Sequence, residues 1–345
     1  AVRAGFSQGG GVGLTLAVWM IEGEPSRDVF AMDVARFGDF CTRAYTRNKV
    51  IENYQRRFAV SYPNEELPAA RPLVTTPAYS VWKSQNAVFG QGYGVEHVNY
   101  IAPPDEEPFE IPSFRRSNAF DIVGAECRAV RTAVGINEIH NFSKFEVTGN
   151  DACAWLDRIM AGRIPKVGRL SLTPMLSPKG RLIGDFTVSR LAEQEFQLTA
   201  SYAAQAFQMR WFETNLSADD DVNIRNISLE RIGFQIAGPN ARELLARVTR
   251  EDVSNAAFPF MALKRMEVAL CDAIVQRVSY TGDLGYEIYV PAMQQLTLYE
   301  SLTAAGHDLG VRPFGMRAMM SLRLEKSFGS WMREYRPDYS PVETG

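Results

Sequence analysis

The stretch RVSYTGDLGYEIYVP, residues 277–291, carries the most information about the fold of this chain. Apolar and polar residues alternate in 277–280 and again in 286–290, which predicts two short strands. Gly282 and Gly285 lie between them and can take the positive φ that a tight turn requires. The stretch therefore predicts a hairpin with Tyr280 on one arm and Glu287 on the other.

Glu287 lies in the second predicted strand, where Tyr286, Ile288 and Val290 form the apolar face. A carboxylate flanked by aromatic side chains is suited to accept two N–H groups of a flat heterocycle, with aromatic rings over the faces of that heterocycle. The same pattern is also typical of an edge hairpin with a solvated Glu. This stretch alone leaves both interpretations open.

The segment 280–287 resembles the hairpin of the glycine-cleavage aminomethyltransferase family, whose Tyr and Glu hold the pterin of tetrahydrofolate. Other segments resemble landmarks of that family, in the order that the family requires: GINEIHNFSKFEVTG (135–149), RLIGDFTV (181–188), GFQIAGPNARELL (233–245) and GMRAMMSLRLE (315–325). Five matches in sequence order are far more specific than one. The resemblance covers residues 113–345.

Residues 326–337, KSFGSWMREYRP, and the segment before them resemble the folate half of dimethylglycine and sarcosine dehydrogenases. Those flavoproteins oxidise N-methyl groups and pass the carbon to folate. A flavin domain of the D-amino-acid-oxidase type comes first in their chains, and residues 1–40 resemble the tail of that domain.

The glycine cluster of residues 5–13 predicts a turn that opens an amphipathic helix over 14–21. Backbone N–H groups in such a turn can approach an electronegative ligand edge. The resemblance implies that Gly9, Gly10 and Gly11 face the flavin in the full-length protein, whereas a flexible loop is the other explanation of the same glycines. Since no segment supplies a Gly-x-Gly-x-x-Gly turn after a strand, we expect this chain not to bind FAD by itself.

The resemblance implies an α+β fold: an aminomethyltransferase-like folate-binding domain (113–345) with antiparallel sheets and packed helices. A β-rich linking module (41–112) and the flavin-domain tail (1–40) precede it. Both ends of the chain suggest a piece of a longer polypeptide, whose flavin and C-terminal β domains lie outside the sequence.

Hydrophobic periodicity agrees with α+β layers and antiparallel sheets. It predicts helices over 120–132, 152–160, 203–216, 241–248 and 293–304. It predicts strands over 145–148, 182–188, 195–200, 229–236, 263–271 and 274–280.

Asp185 interrupts an otherwise apolar strand, and Gly184 beside it leaves room for a ligand. A carboxylate at such a glycine is either a bulge residue bound by backbone N–H groups or a site residue. The resemblance implies the second, because the family's essential aspartate lies in this strand. Many members have Asp-Asp where this chain has Gly184-Asp185.

The resemblance carries over to other positions less directly. It implies that Arg317 supports the ligand or the Glu287 arm, although a structural ion pair explains an Arg equally well. Ser201 stands where relatives have Asn, and Phe142 stands where they have Met and can form a pocket wall. We expect His140 to make a local hydrogen bond rather than to act in catalysis.

Composition is that of an ordinary globular protein, with 46% hydrophobic and 22% charged residues. A net charge of −3 and a pI near 5.8 argue against nucleic-acid binding. Four separated cysteines predict reduced thiols, and three histidines match no metal-site spacing. The apolar run 12–21 is too short to span a membrane and has no signal-peptide cleavage site. We therefore predict a cytoplasmic protein with no metal ion and no membrane contact.

Three functions are open. The first is the tetrahydrofolate-dependent one-carbon acceptor of an FAD-dependent N-methyl amine dehydrogenase, with Asp185 as its catalytic residue and Tyr280, Glu287, Arg317, Phe142 and Ser201 around the folate. The second is a free aminomethyltransferase of the glycine cleavage system, whose chain would begin near residue 113. The third is a non-catalytic folate-type scaffold. The sequence does not identify the methylamine, because the flavin domain would select it.

Overall fold

The computed structural model describes residues 6–344 of the chain. The helices, in chain order, are α1 (Phe6–Glu22), α2 (Arg43–Gln55), α3 (Tyr79–Ser84), α4 (Ala119–Thr132), α5 (Ala152–Ile159), α6 (Gln205–Thr214), α7 (Ala241–Arg247), α8 (Gln295–Ala305), α9 (Met316–Leu324) and α10 (Pro341–Thr344). Among the described residues, no helix combines the length and the apolar character that crossing a membrane requires.

The strands, in chain order, are β1 (Ala87–Gly92), β2 (Val95–Ile101), β3 (Val134–Glu138), β4 (Phe142–Thr148), β5 (Arg169–Leu176), β6 (Leu182–Ala192), β7 (Glu195–Ser201), β8 (Asn223–Asn226), β9 (Arg231–Ala237), β10 (Leu263–Val268), β11 (Cys271–Gln276), β12 (Gly285–Pro291) and β13 (Val311–Pro313). They form a β1–β2 hairpin, a six-stranded sheet in the order β10-β11-β12-β9-β3-β13 and a five-stranded sheet in the order β5-β6-β7-β4-β8. Neighbouring strands are antiparallel except β13 and β3, which are parallel. The predicted α+β fold with antiparallel sheets and packed helices is confirmed.

The six-stranded sheet separates two kinds of side chain. In β12 the predicted apolar residues Tyr286, Ile288 and Val290 are fully buried in the largest core, which also contains residues of α7 and α8. Because side chains alternate along a strand, Glu287 and Tyr289 project from the opposite face. That opposite face looks towards the five-stranded sheet.

The five-stranded sheet covers α5 and α6 with one face, through a core that includes Phe145, Phe196, Leu198, Trp155 and Phe212. The two sheets then meet in a smaller apolar cluster formed by Ile139, Ile274 and Tyr289 together with Phe142 and Leu191. The space between the sheets is therefore bounded by β4, β6, β11 and β12.

The prediction that residues 277–280 form a strand, as the first arm of a 277–291 hairpin, is wrong. β11 ends at Gln276, and residues 277–284 connect it to β12 outside any strand. Beyond β11, Arg277 still lies beside the residues that precede β10: its backbone N–H donates to Ala262 O at 2.8 Å and its guanidinium to Phe258 O at 2.7 Å. Glu287 is therefore paired with Gln276, and Tyr280 lies in the connection.

The glycine turn predicted before the first helix is also wrong, because Gly9, Gly10 and Gly11 lie within α1. Gly5 lies outside the described residues. A Cβ at any of the three glycines would meet nothing within 4 Å. The helix ends at Gly23, which has a φ of +78° and donates its N–H to Trp19 O at 2.9 Å.

Residues 41–112 contain α2, α3 and the β1–β2 hairpin. The hairpin is tied to the large sheets through Glu126 of α4, whose carboxylate accepts the N–H of Ile101 at 2.8 Å and of Gly315 at 2.9 Å. A Cβ at Gly315 would lie 2.0 Å from Asn99 O. The start of α9 thus rests directly on the backbone of β2.

We expect Gly315→Ala to lower the free energy of unfolding by at least about 2 kcal/mol, because its methyl group meets backbone that cannot move aside. Gly10→Ala, in the exposed helix α1, is the matched control and should raise helix stability by up to about 1 kcal/mol. Urea denaturation of both variants measures the difference. Equal stabilities would show that α9 does not rest on β2 in this way.

Candidate functional site

A row of polar side chains crosses the face of the six-stranded sheet that looks towards the five-stranded sheet. Asn137 of β3, Gln235 of β9, Glu287 of β12 and Gln276 of β11 lie opposite one another in register. Directly opposite residues of antiparallel strands project from the same face. All four are buried, so the alternative of an edge hairpin with a solvated Glu is wrong.

Glu287 is a carboxylate in an environment that disfavours its charge. Burial raises the pKa of Glu287 to about 7, and the hydroxyl of Tyr289 and the charge of Lys144 oppose that rise. Tyr289 Oη donates to Glu287 Oε2 at 2.7 Å. The other acceptor positions of the carboxylate are left for further N–H donors.

Lys144 of β4 is the cation that faces Glu287, and the sequence analysis missed it. Its Nζ donates to the carbonyls of Phe142 at 2.7 Å, Ser228 at 3.1 Å and His140 at 3.2 Å. Three acceptors match the three N–H groups of an ammonium ion. Complete burial lowers the pKa of Lys144 to about 7, while the charge of Glu287 raises it. The sequence offered one signal for a buried lysine: Lys144 has Phe142 and Phe145 close to it on either side in the same short segment.

Tyr280 lies in an aromatic group beside this row. Its ring is edge-on to Phe142 at 6.2 Å between centroids and parallel to Phe328 at 6.4 Å. Its hydroxyl donates to Gly329 O at 2.6 Å. Burial raises the pKa of Tyr280 to about 12, and the charge of Asp185 adds to that rise. The charge of Asp185 therefore acts on Tyr280, although the two residues are far apart in sequence.

Asp185 is half-buried in β6, opposite Pro174 of β5. Burial raises the pKa of Asp185 to about 6, and its own backbone N–H opposes the rise. The role predicted for Gly184 is corrected: a Cβ there would lie 2.9 Å from both Gln208 Nε2 and the Phe186 ring. Gly184 is thus required by packing against α6 on the opposite face rather than by room for a ligand.

Three further predicted residues separate into two groups. Phe142 and Ser201 lie opposite each other at the ends of β4 and β7, and both are half-buried. Arg317 instead forms an ion pair with Glu110 at 3.0 Å and donates to Asn64 O at 3.1 Å. Of the two interpretations of Arg317, the structural ion pair is the one observed.

His140 makes the local hydrogen bond that was predicted. Its Nε2 lies 2.8 Å from Glu96 O, and its Nδ1 lies 3.6 Å from the carboxylate of Glu138. Burial and the charge of Lys144 lower the pKa of His140 to about 3, so the ring is neutral near pH 7. His140 contributes its carbonyl to Lys144 but no charge to the site.

That this chain does not bind FAD by itself stays a prediction. Gly9, Gly10 and Gly11 lie inside α1, so they do not form the turn that approaches a flavin. Within residues 6–344, no Gly-x-Gly-x-x-Gly turn joins a strand to a helix to hold the pyrophosphate.

Two surface cavities lie elsewhere. One of about 560 Å³ lies beside Arg242 and Glu243 of α7, and one of about 270 Å³ lies between Trp19 and Arg210. Neither is lined by the polar row or by Asp185. The site between the sheets is recognised by its buried polar and charged groups.

Comparison with known proteins relates the chain to two domain families. The GCVT N-terminal domain matches residues 78–345, and the FAD dependent oxidoreductase central domain matches residues 22–76. The division predicted after residues 40 and 112 stays a prediction.

The relatives include dehydrogenases. The chain is 36% identical over 351 residues to mitochondrial dimethylglycine dehydrogenase of Mus musculus, covering 100% of this chain and 40% of that protein. It is 30% identical over 385 residues to mitochondrial sarcosine dehydrogenase of Homo sapiens, covering 99% and 42%. The chain thus spans about two fifths of the length of the curated relatives it matches.

A solved structure supports the fold. The glycine cleavage system aminomethyltransferase T from Bartonella henselae superposes with a TM-score of 0.65 at 24% identity, covering 78% of this chain and 67% of that one.

We expect Lys144→Met to lower the free energy of unfolding by about 3 kcal/mol or more, because it leaves buried carbonyls without a donor. It should also raise the pKa of Glu287 further, since the only change near that carboxylate is the loss of a positive charge. Lys179→Met is the matched control, because Lys179 pairs with Glu22 and Glu24 in solvent, and it should change stability little. Urea denaturation of both variants decides. Equal losses of unfolding free energy in Lys144→Met and Lys179→Met would contradict the stabilising role of the buried Lys144 ammonium.

Proposed function

Because the chain belongs to the GCVT N-terminal domain family, we propose that it is the tetrahydrofolate-dependent one-carbon acceptor of an FAD-dependent N-methyl amine dehydrogenase of the dimethylglycine or sarcosine type. It converts the iminium ion produced by amine oxidation into 5,10-methylenetetrahydrofolate. The observation that carries the proposal is the buried carboxylate of Glu287, which lies in register between Gln235 and Gln276 on the neighbouring strands. The flavin is supplied by a domain outside the described residues.

Recognition of the pterin rests on Glu287 and the aromatic group. An ionised carboxylate accepts the paired N–H groups of a 2-amino-4-oxo heterocycle, and such charge-assisted bonds are strong where water is excluded. Lys144 favours the ionised form of Glu287. Phe142 and Tyr280 supply apolar ring surface beside it.

The transfer conserves atoms and charge without an external oxidant. N5 of tetrahydrofolate attacks the iminium carbon and loses its proton as the new C–N bond forms. The amine nitrogen takes up a proton and departs, and N10 closes on the same carbon with loss of its own proton. One iminium ion and one tetrahydrofolate give one 5,10-methylenetetrahydrofolate and one protonated amine.

Asp185 is suited to assist both steps. A fixed carboxylate near N5 and N10 stabilises the cationic intermediates and accepts the released proton, effects worth roughly 10²–10⁴ in rate. With a pKa of about 6, Asp185 is mostly ionised at neutral pH and still close enough to neutrality to exchange protons.

Two alternatives have weaker support. A free aminomethyltransferase does not account for residues 22–76, which match the FAD dependent oxidoreductase central domain. A non-catalytic scaffold does not account for a buried Glu287 with unused acceptor capacity, and a folate titration separates it from the proposal.

We expect Glu287→Gln to weaken binding of tetrahydrofolate by about 1.5–3 kcal/mol, because the amide places a donor against the pterin N–H pair. Calorimetry on the anaerobic protein measures it. Glu126→Gln is the matched control, since burial also raises the pKa of Glu126 to about 7 and its carboxylate binds only backbone. Unchanged affinity in Glu287→Gln would refute the pterin assignment.

We expect Asp185→Asn, in the polypeptide that carries the flavin domain, to leave flavin reduction by the methylamine nearly unchanged. The one-carbon product should instead appear as formaldehyde, because the iminium hydrolyses when attack by N5 is not assisted. Wild-type methylenetetrahydrofolate yield should rise with pH through about 6, as Asp185 loses its proton, and the variant should lack that rise.

Stopped-flow flavin bleaching beside a formaldehyde assay, with and without tetrahydrofolate, separates the two half-reactions. Slower flavin reduction with a normal folate yield would assign Asp185 to oxidation or to the fold instead.

A further inference from the structure

Gln276 is a buried side chain that has no role in the fold described so far. It is fully buried, and neither its Oε1 nor its Nε2 has a hydrogen-bond partner among residues 6–344. Leaving a buried amide unpaired costs free energy, so such a group is expected to have a partner in the working protein. Gln276 lies directly opposite Glu287 on the neighbouring strand and projects from the same face.

The two glutamines beside Glu287 differ. Gln235, on the other side, donates its Nε2 to Asn137 Oδ1 at 3.3 Å and to Met319 Sδ at 3.2 Å. Its amide is therefore oriented by the protein towards β3 and α9. The amide of Gln276 is not held by any described residue and is free to turn either of its ends towards a ligand.

Gln276 also lies on the Asp185 side of Glu287. Ile274 of β11 packs with Leu191 of β6 in the cluster between the sheets. Tyr280, which follows β11, lies close enough to Asp185 of β6 to sense its charge. The packing of Ile274 against Leu191 joins β11 to β6, so the step from Glu287 to Gln276 leads towards the strand that carries Asp185.

We propose that Gln276 binds the 4-oxo and N5 edge of the reduced pterin, next to the N–H pair bound by Glu287, and so directs N5 towards Asp185. This inference rests on the proposed function. Beyond N3–H, the pterin edge presents the 4-oxo acceptor and then, in tetrahydrofolate, the N5–H donor. One side-chain amide complements that acceptor and donor with its Nε2 and Oε1. In folic acid N5 carries no hydrogen, so only the amide N–H is used.

The test compares tetrahydrofolate with folic acid by anaerobic calorimetry on the 345-residue chain. Wild-type protein should prefer tetrahydrofolate. Gln276→Leu should weaken tetrahydrofolate binding roughly tenfold and folic acid binding roughly threefold, because two hydrogen bonds are lost in the first case and one in the second. The preference for the reduced ring should thus fall about threefold. Gln276→Met, which is closer in shape, replaces the Leu variant if that variant does not fold.

Gln208→Leu is the matched control. Gln208 is also fully buried with an Nε2 that has no partner among the described residues, but it lies beneath Gly184 on the α6 side. It should leave the ligand preference unchanged.

The competing partner of the Gln276 amide is an ordered water, which buried polar groups commonly bind. In that case Gln276→Leu alters thermal stability, while the preference for tetrahydrofolate over folic acid stays at the wild-type value. That result would overturn the inference about Gln276 but not the proposed function. If wild-type protein binds neither ligand, the proposed function and this inference both fail.

Discussion

The structure depends on a buried lysine. Lys144 brings a positive charge between two sheets, where desolvation disfavours it, and three backbone carbonyls together with Glu287 offset that cost. Removal of Lys144 would leave three buried carbonyls without a donor, and removal of the Glu287 carboxylate would leave the buried ammonium without the negative charge that raises its pKa. Since its carbonyl partners belong to residues 140, 142 and 228, Lys144 also fixes the chain where β4 begins and where β8 leads into β9.

Burying a layer of polar side chains between two sheets costs free energy, because these groups lose their hydrogen bonds to water. Gln197, Thr199 and Ser189 of the five-stranded sheet face Glu287 and the glutamines of the six-stranded sheet, and all of these are buried. Apolar side chains of similar volume would pack there at less cost. The layer has a use if a flat, polar ligand completes its hydrogen bonds. The pKa values near neutrality at Asp185 and Glu287 are a consequence of the same dry surroundings.

The rigidity of this layer comes from contacts outside it. Glu126 binds the end of β2 and the start of α9 with one carboxylate, and Gly315 lets the two backbones touch. α9 in turn packs Met319 against Gln235. The β1–β2 hairpin is thereby coupled to the polar row through one helix, which keeps groups of very different sequence position in register.

The sequence by itself determined the order of most helices and strands and the apolar face of β12, because periodicity is a local property. It proposed the candidates Asp185, Tyr280, Phe142 and Glu287 only through resemblance to a known family. Only the tertiary structure decided which residues pair in the sheet, form ion pairs or share hydrogen bonds. Gln276 rather than residue 280 pairs with Glu287, Arg317 binds Glu110, and Lys144 binds a carbonyl 84 residues away. The alternation of apolar and polar residues shows on which face of a strand a side chain lies. It does not show which distant group forms a hydrogen bond with that side chain. Buried polar groups must be satisfied, and the folded chain alone brings their partners within reach.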